Sequence, residues 1–266
     1  MKTKAILCEP GKKVRLDRIP TDAEGNSDLK MEAIARVEEL RPKLRNLQER
    51  LYAEGKRGLI AVFQAMDTGG KDGAVRNLFT GVDPAGVEVT GFKGPSSHEL
   101  AHDYLWRIHG QVPTRGTIGV WNRSHYEDVL SVRVRKLVPD EIWKRRYGHI
   151  NDFERMLTDE GMVVVKYFLH ISHDTQKKRL EERLADPSKH WKFDPADLED
   201  RLRRPVAPAR GDARVQRVLQ QPVLALQPAQ LRSTVFGVVH RQPVQRGVQD
   251  RGHVRHRGRA RPDVLG

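Results

Sequence analysis

The 266-residue sequence predicts an α/β fold, a parallel sheet flanked by helices. Three observations lead there. Short apolar runs alternate with helical or turn segments as far as Arg203, the spacing expected of strands joined by crossover helices. The first strong run, "GLIAVFQAM", ends in the glycine-rich turn "DTGG". A helical pattern, "AVRNLFTGV", follows that turn directly.

Residues 1–28 read as an irregular arm with short extended pieces, closed by the turn-forming "TDAEGNSD". From Leu29 to Glu54 a helix is expected, because Val37, Leu40, Leu44, Leu47 and Leu51 recur at steps of three and four and so share one face. Pro42 removes a backbone donor within it and is expected to bend it. "GLIAVFQAM", "VEVTGF", "GTIGVW" and "MVVVKYFLHI" are the candidate parallel strands. The glycine-rich turn then lies at the carboxyl edge of the sheet, where open α/β sheets bind ligands. The expected organisation is an N-terminal arm and helix over 1–55, a core over 56–201 and an atypical Arg/Pro/Gln-rich tail over 202–266.

Charge separates the tail from the rest. The net charge is +13, and from Arg204 onward twelve Arg against three Asp give +9, leaving +4 for all that precedes. The tail lacks Lys, Glu, Ile, Met, Trp, Tyr and Asn. That bias is expected when a GC-rich gene is read out of frame. The alternative is a disordered basic extension, and a nucleic-acid-binding function would rest on the tail alone. The single cysteine, Cys8, excludes an internal disulfide and suits a reducing compartment. No apolar run reaches the eighteen residues of a membrane span, and "MKTKAILCEPGKK" has no signal-peptide core. A cytoplasmic protein is expected.

"FQAMDTGGKDG" has the outline of a Walker-A phosphate loop, G-x-x-x-x-G-K-[ST], with Ala65 in place of the first glycine and Asp72 in place of the hydroxyl residue. In such a loop Gly69, Gly70 and Gly73 let the backbone approach phosphate, and Lys71 adds a mobile cation on a solvent-facing turn. Asp72 cannot serve as a neutral hydroxyl ligand, so magnesium is expected on another carboxylate, Asp67 being nearest. An ordinary glycine-rich bend between strand and helix is the structural alternative. A P-loop kinase-like core follows from the functional reading.

Two further stretches are ambiguous by themselves. "HELAH", His98 to His102, satisfies the H-E-x-x-H zinc signature, with Glu99 as a possible base, but it follows the helix-start sequence "GPSS". Ser97 as a helix cap with two surface histidines is the simpler expectation. The run "SHDTQKKRLEERLADPSKHWKF" reads as a helix and basic turn, whose Lys177, Lys178, Arg179, Arg183, Lys189 and Lys192 form either a solvated face or a basic lid over a polyanion.

The sequence as a whole resembles the family-2 polyphosphate kinases, particularly the subgroup acting on nucleoside mono- and diphosphates. The resemblance is carried by "FQAMDTGGKDG", "DYLWRIH", "NRSHYEDV", "IWKRRYGHINDFERMLTDEGMVVVKYFLHIS" and "DPSKHWKFDPADLEDR", and it spans Lys4 to Arg201. It implies a magnesium-dependent transfer of a terminal phosphoryl group from inorganic polyphosphate to an adenine or guanine nucleotide, with manganese as a substitute metal, in a homo-oligomer. Asp67, Lys71, Arg123 and Glu127 become the expected catalytic residues, with Arg123 on phosphate and Glu127 linked to acceptor choice. Many relatives outside the subgroup carry aspartate where this chain has Asn122, so Glu127 and Asp128 become candidate metal carboxylates beside Asp67; their bland role is an acidic helix start. Lys93, in "FKGPS", is expected to contact the acceptor. An ATP-dependent nucleotide or small-molecule kinase would use the same loop. The resemblance also implies an aromatic-rich helix and another core strand beyond Arg201, which the tail does not show at the level of sequence pattern.

Overall fold

The computed structural model describes residues 6–8, 14–21, 27–195 and 223–226. Six strands form one sheet: β1 (Ile6–Cys8), β2 (Gly58–Ala65), β3 (Val87–Gly91), β4 (Ile118–Asn122), β5 (Met162–Leu169) and β6 (Val223–Leu226), in the order β1-β6-β5-β2-β4-β3. All neighbours run parallel except β1, which pairs antiparallel with β6. The expected parallel sheet is present, and β2, the strand that leads into the glycine-rich turn, lies at its centre between β4 and β5.

β2 is apolar except at Gln64 because both of its faces are covered. On one side Ala61 and Phe63 pack with Ala74 and Leu78 of α2 (Lys71–Phe79) and with Leu51 of α1 (Ser27–Glu54). On the other, Ile60 and Val62 pack with Trp121 and with Phe153 and Leu157 of α6 (Asp140–Asp159). Each fully buried side chain of this size contributes about 1.5–3 kcal/mol relative to exposure. Short helices α3 (Ser97–Leu100) and α4 (Trp106–His109) join β3 to β4; α5 (Glu127–Val134) follows β4, and α7 (His173–Ala185) follows β5.

Three expectations change. α1 begins at Ser27 and runs through Pro42, but its buried face carries Ala33, Val37, Leu40 and Gln48, whereas Leu47 is 51% exposed. A helix advances 3.6 residues per turn, and over this length the face drifts off the three-four pattern onto Gln48. Gln48 closes on the Pro84–Gly86 turn, where a Cβ at Gly86 would meet its amide nitrogen at 1.8 Å. The tail, expected to leave the sheet without a further strand, supplies β6: Lys166 to Leu169 pair with Val223 to Leu226 in parallel register. The remaining tail residues, and with them the reading-frame expectation, lie outside the described residues. Finally, Ser96 and not Ser97 caps α3, in a capping box in which Glu99 returns a bond to the Ser96 backbone.

Candidate functional site

The turn after β2 is shaped by close approach. A Cβ at Gly69 would sit 2.4 Å from the Ala65 Cβ and 2.7 Å from the Met66 carbonyl oxygen, so no other residue fits. Gly70 occupies the left-handed region, φ 95°, and heads α2. Thr68 is left-handed too, φ 60°. Two side chains of α7 hold it there: Arg179 Nη1 donates to the Thr68 carbonyl at 3.0 Å, and Gln176 Nε2 donates to the Asp67 carbonyl at 3.2 Å.

Lys71 does not face solvent as expected. It is 8% exposed, and its Nζ donates to the carbonyls of Ala65 at 3.1 Å and Met66 at 3.3 Å. The strand end curls over the ammonium, and burial, aided by the Arg123 charge, lowers its pKa against the pull of Asp67, Glu127 and Asp72. These five charged side chains therefore form one electrostatic cluster. Arg123 Nη2 donates to Asp67 Oδ1 at 3.0 Å, and Arg123 itself is left-handed, φ 66°, its backbone N–H tied to the Phe63 carbonyl. Glu127 accepts from Ser131 Oγ. The Gln64 amide reaches Ser124 Oγ at 3.1 Å; turned so that both its ends are satisfied, it also donates to Glu127 Oε1 at 3.1 Å.

Asp72 is claimed from two directions: Asn122 Nδ2 donates at 2.7 Å and Lys192 Nζ at 3.2 Å. Burial acts to raise its pKa, but these bonds and the Lys192 and Lys71 charges outweigh it and leave it below the usual carboxylate value. Lys192 thus closes the far wall of a groove of about 400 Å³ that runs from Thr68, Gly70 and Gly73 to Arg179, Arg183 and Lys189. Arg183 Nη1 donates to the Lys192 carbonyl at 2.8 Å and Lys189 pairs with Asp186. The expected cationic lid is therefore narrower than the charge run suggested. Lys177 and Lys178 are not among the groove's lining residues; both are exposed, and Lys177 pairs with Glu181. Leu180 and Gln176 are buried, which turns the Arg179–Arg183 edge of α7 toward the turn and the two lysines away.

Asp128, expected as a candidate metal carboxylate, lies between two arginines. Its buried carboxylate lies 3.5 Å from Arg107 and 3.8 Å from Arg146. Burial raises its pKa, and the two guanidiniums counter that. Lys93 is exposed, and its carbonyl accepts from Arg107 Nη1 at 2.7 Å, so Arg107 links the "FKGPS" loop to the start of α5. Arg107, Gln64 and Gln176 were not singled out from the sequence, although a glutamine in an apolar strand is itself a signal for Gln64.

The histidines of "HELAH" are engaged in ring contacts. His102 stacks on Trp106 with centroids 4.1 Å apart, and His98 meets both edge-on. A larger cavity of about 640 Å³ beside Trp106 and Phe153 lies over this segment and includes no residue of the glycine-rich turn. Among the described residues no three His, Cys, Asp or Glu side chains are grouped to hold a metal. The donor set at the turn, hard carboxylate oxygens of Asp67 and Glu127, does fit magnesium, which usually takes one or two protein carboxylates with phosphate and water completing its shell. Among the described residues no helix is long and apolar enough to cross a membrane.

Comparisons with known proteins bear on the family and the fold. The family model of polyphosphate kinase 2 matches residues 28–213, twelve residues beyond the stretch that carried the sequence resemblance. An AMP/ADP-polyphosphate phosphotransferase of Meiothermus ruber is 55% identical over 188 residues, 70% of this chain and 69% of the relative. An ADP-polyphosphate phosphotransferase of Rhodopseudomonas palustris is 41% identical over 213 residues, 76% and 74% of the two chains. The crystal structure of polyphosphate kinase 2 from Arthrobacter aurescens TC1 superposes with a TM-score of 0.72 at 36% identity, covering 85% of this chain and 82% of that one. The family model covers well over half of the chain and these relatives share from a third to just over half of their aligned residues with it, so the chain belongs to the polyphosphate kinase 2 family.

Proposed function

We propose that the protein transfers the terminal phosphoryl group of inorganic polyphosphate to AMP or ADP, with magnesium as the metal and manganese as its substitute. The observation that carries this reading is the Arg123–Asp67 pair beside Lys71, opening into a groove walled by Arg179, Arg183, Lys189 and Lys192. A closely spaced polyanion suits such a groove, since cations neutralise it without reading any base. In the reaction an oxygen of the acceptor phosphate attacks the terminal phosphorus, the bridging P–O bond breaks, and the chain leaves one unit shorter. Such transfer depends on alignment and charge neutralisation more than on covalent chemistry. Lys71 and the turn amides hold the phosphates, Arg123 meets the charge spreading over the moving group, and Glu127 orients the acceptor side. Asp67 and Glu127 would hold the metal, which supplies charge neutralisation at the phosphate oxygens when bound. Adenine acceptors follow the names of the relatives; Lys93 remains an acceptor-side contact in this reading. A cytoplasmic homo-oligomer belongs to the same proposal, its oligomeric state to be checked by light scattering.

The donor experiment tests it: AMP or ADP with polyphosphate and magnesium, and no ATP, should yield the next phosphoanhydride, and chelation should stop the reaction. Product formed only when ATP is supplied would favour an ATP-dependent kinase. Glu127→Asn should change the ratio of turnover with AMP to turnover with ADP by about tenfold, the scale of one displaced polar contact at about 1.4 kcal/mol. An unchanged ratio would remove Glu127 from acceptor choice.

A further inference from the structure

Beneath the Arg123–Glu127 turn lies a set of ionisable groups that the transfer itself does not employ. Glu154 of α6, Lys166 of β5, His125 and Tyr126 are all at most 5% exposed. Lys166 Nζ donates to Glu154 Oε2 at 2.7 Å and to the Tyr126 hydroxyl at 3.0 Å. That hydroxyl donates in turn to Glu154 Oε1 at 2.8 Å, and His125 Nε2 meets the same oxygen at 3.1 Å. Burial would raise the Glu154 pKa, but the Lys166 charge and the bonds from His125 and Lys166 bring it down to about 2, so it stays a carboxylate. A buried ion pair is a poor source of stability, because apolar replacements of similar volume often do as well or better. Its geometry has another consequence.

His125 and Tyr126 are consecutive residues of the turn, Arg123 stands two positions before His125 and Glu127 follows Tyr126 at once. Ser124 between them is fully buried and its Oγ accepts from the Tyr126 N–H at 3.2 Å. The turn is thus fixed from β2 through Gln64, from α6 through Glu154 and from β5 through Lys166. A left-handed arginine crowds its own backbone, and such a conformation persists only where the surroundings impose it. We propose that the Tyr126–Glu154–Lys166 network is a positioning device for phosphoryl transfer, holding Arg123 and Glu127 on the reacting side of the turn. The proposal rests on the reading of Arg123 and Glu127 as site residues, and Tyr126, Glu154 and Lys166 act only through them.

Two variants of the full chain test it. Tyr126→Phe deletes one oxygen, and Glu154→Gln keeps the shape while removing the charge. Each is expected to lower kcat by about tenfold to a hundredfold, the scale of an ångström-sized misplacement in a site. KM for tripolyphosphate and for ADP should stay within about twofold on the same argument, since binding groups are retained. Hydrogen exchange should quicken in residues 121–129 and remain as in the parent across β2. A KM change at constant kcat, or a folded Tyr126→Phe with parental kcat, would overturn the proposal, as would parental exchange in 121–129. Should Glu154→Gln fail to fold, Tyr126→Phe decides. Exchange needs no turnover, so a parent that transfers nothing from polyphosphate would refute the functional reading while exchange still decides whether the network holds the turn.

Discussion

Lys71→Ala is expected to lower turnover from polyphosphate at least a hundredfold, the loss seen when one preorganised charge-stabilising group is removed. Lys71 is the cation at the centre of a cluster that also holds Asp67, Glu127 and Asp72, and its Nζ is fixed by two carbonyls of the turn that phosphate must approach. Alanine would leave three carboxylates facing an incoming polyanion with the cation nearest all of them gone. It would also take the ammonium donor from the Ala65 carbonyl, a cost of about 1–3 kcal/mol if no water replaces it, whereas the Met66 carbonyl keeps the Gly69 N–H at 2.9 Å. Release of a buried charge works the other way. A folded variant with a thermal midpoint a few degrees lower is therefore expected, checked by calorimetry beside steady-state rates. Near-parental turnover in that folded protein would detach Lys71 from the transfer site.

The contrast between Lys71 as read and Lys71 as found shows where sequence information stopped. The apolar run of β2 and the "DTGG" turn are local signals, and they located the loop. Whether the lysine points outward or folds back onto the strand end is decided by the curl of Ala65 and Met66, which the motif leaves open. α7 teaches the same lesson: a run of cations announces a charged helix, but the groove-facing edge is set by Leu180 and Gln176 docking on the core. Arg179 and Arg183 follow from that docking, and Lys177 and Lys178 do not. β6 has no local signature beyond "VLAL" in an Arg/Pro/Gln-rich setting, and its place comes from long-range pairing with β5 and β1. Glu154 and Lys166 were half legible, since a lysine inside "MVVVKYFL" is out of place unless something buried receives it. Its partner, twelve residues earlier on α6, could not be named before the helix was packed.

Arg123→Gly should separate activity from stability. Loss of the guanidinium that bonds Asp67 is expected to cost about a thousandfold in turnover, the lower end of what an arginine contributes to phosphoryl transfer. The fold should respond differently. At φ 66° a side chain crowds its own backbone by about 1–2 kcal/mol, which glycine escapes, while glycine loses about 0.5–1 kcal/mol more to chain entropy. Glycine comes out ahead by up to about 1 kcal/mol, and loss of the Arg123–Asp67 pair, whose arginine is 38% exposed to solvent, offsets this by about 0–1 kcal/mol. The thermal midpoint of Arg123→Gly should therefore lie within a few degrees of the parent. Arg123→Ala removes the same guanidinium but keeps the crowded turn, so it should be equally inactive and less stable than the glycine variant by about 1 kcal/mol. Denaturant titration of the two variants measures that difference directly. If alanine proves as stable as glycine, the left-handed turn is not imposed on residue 123, and if either variant retains parental turnover, Arg123 does not meet the transferring phosphate.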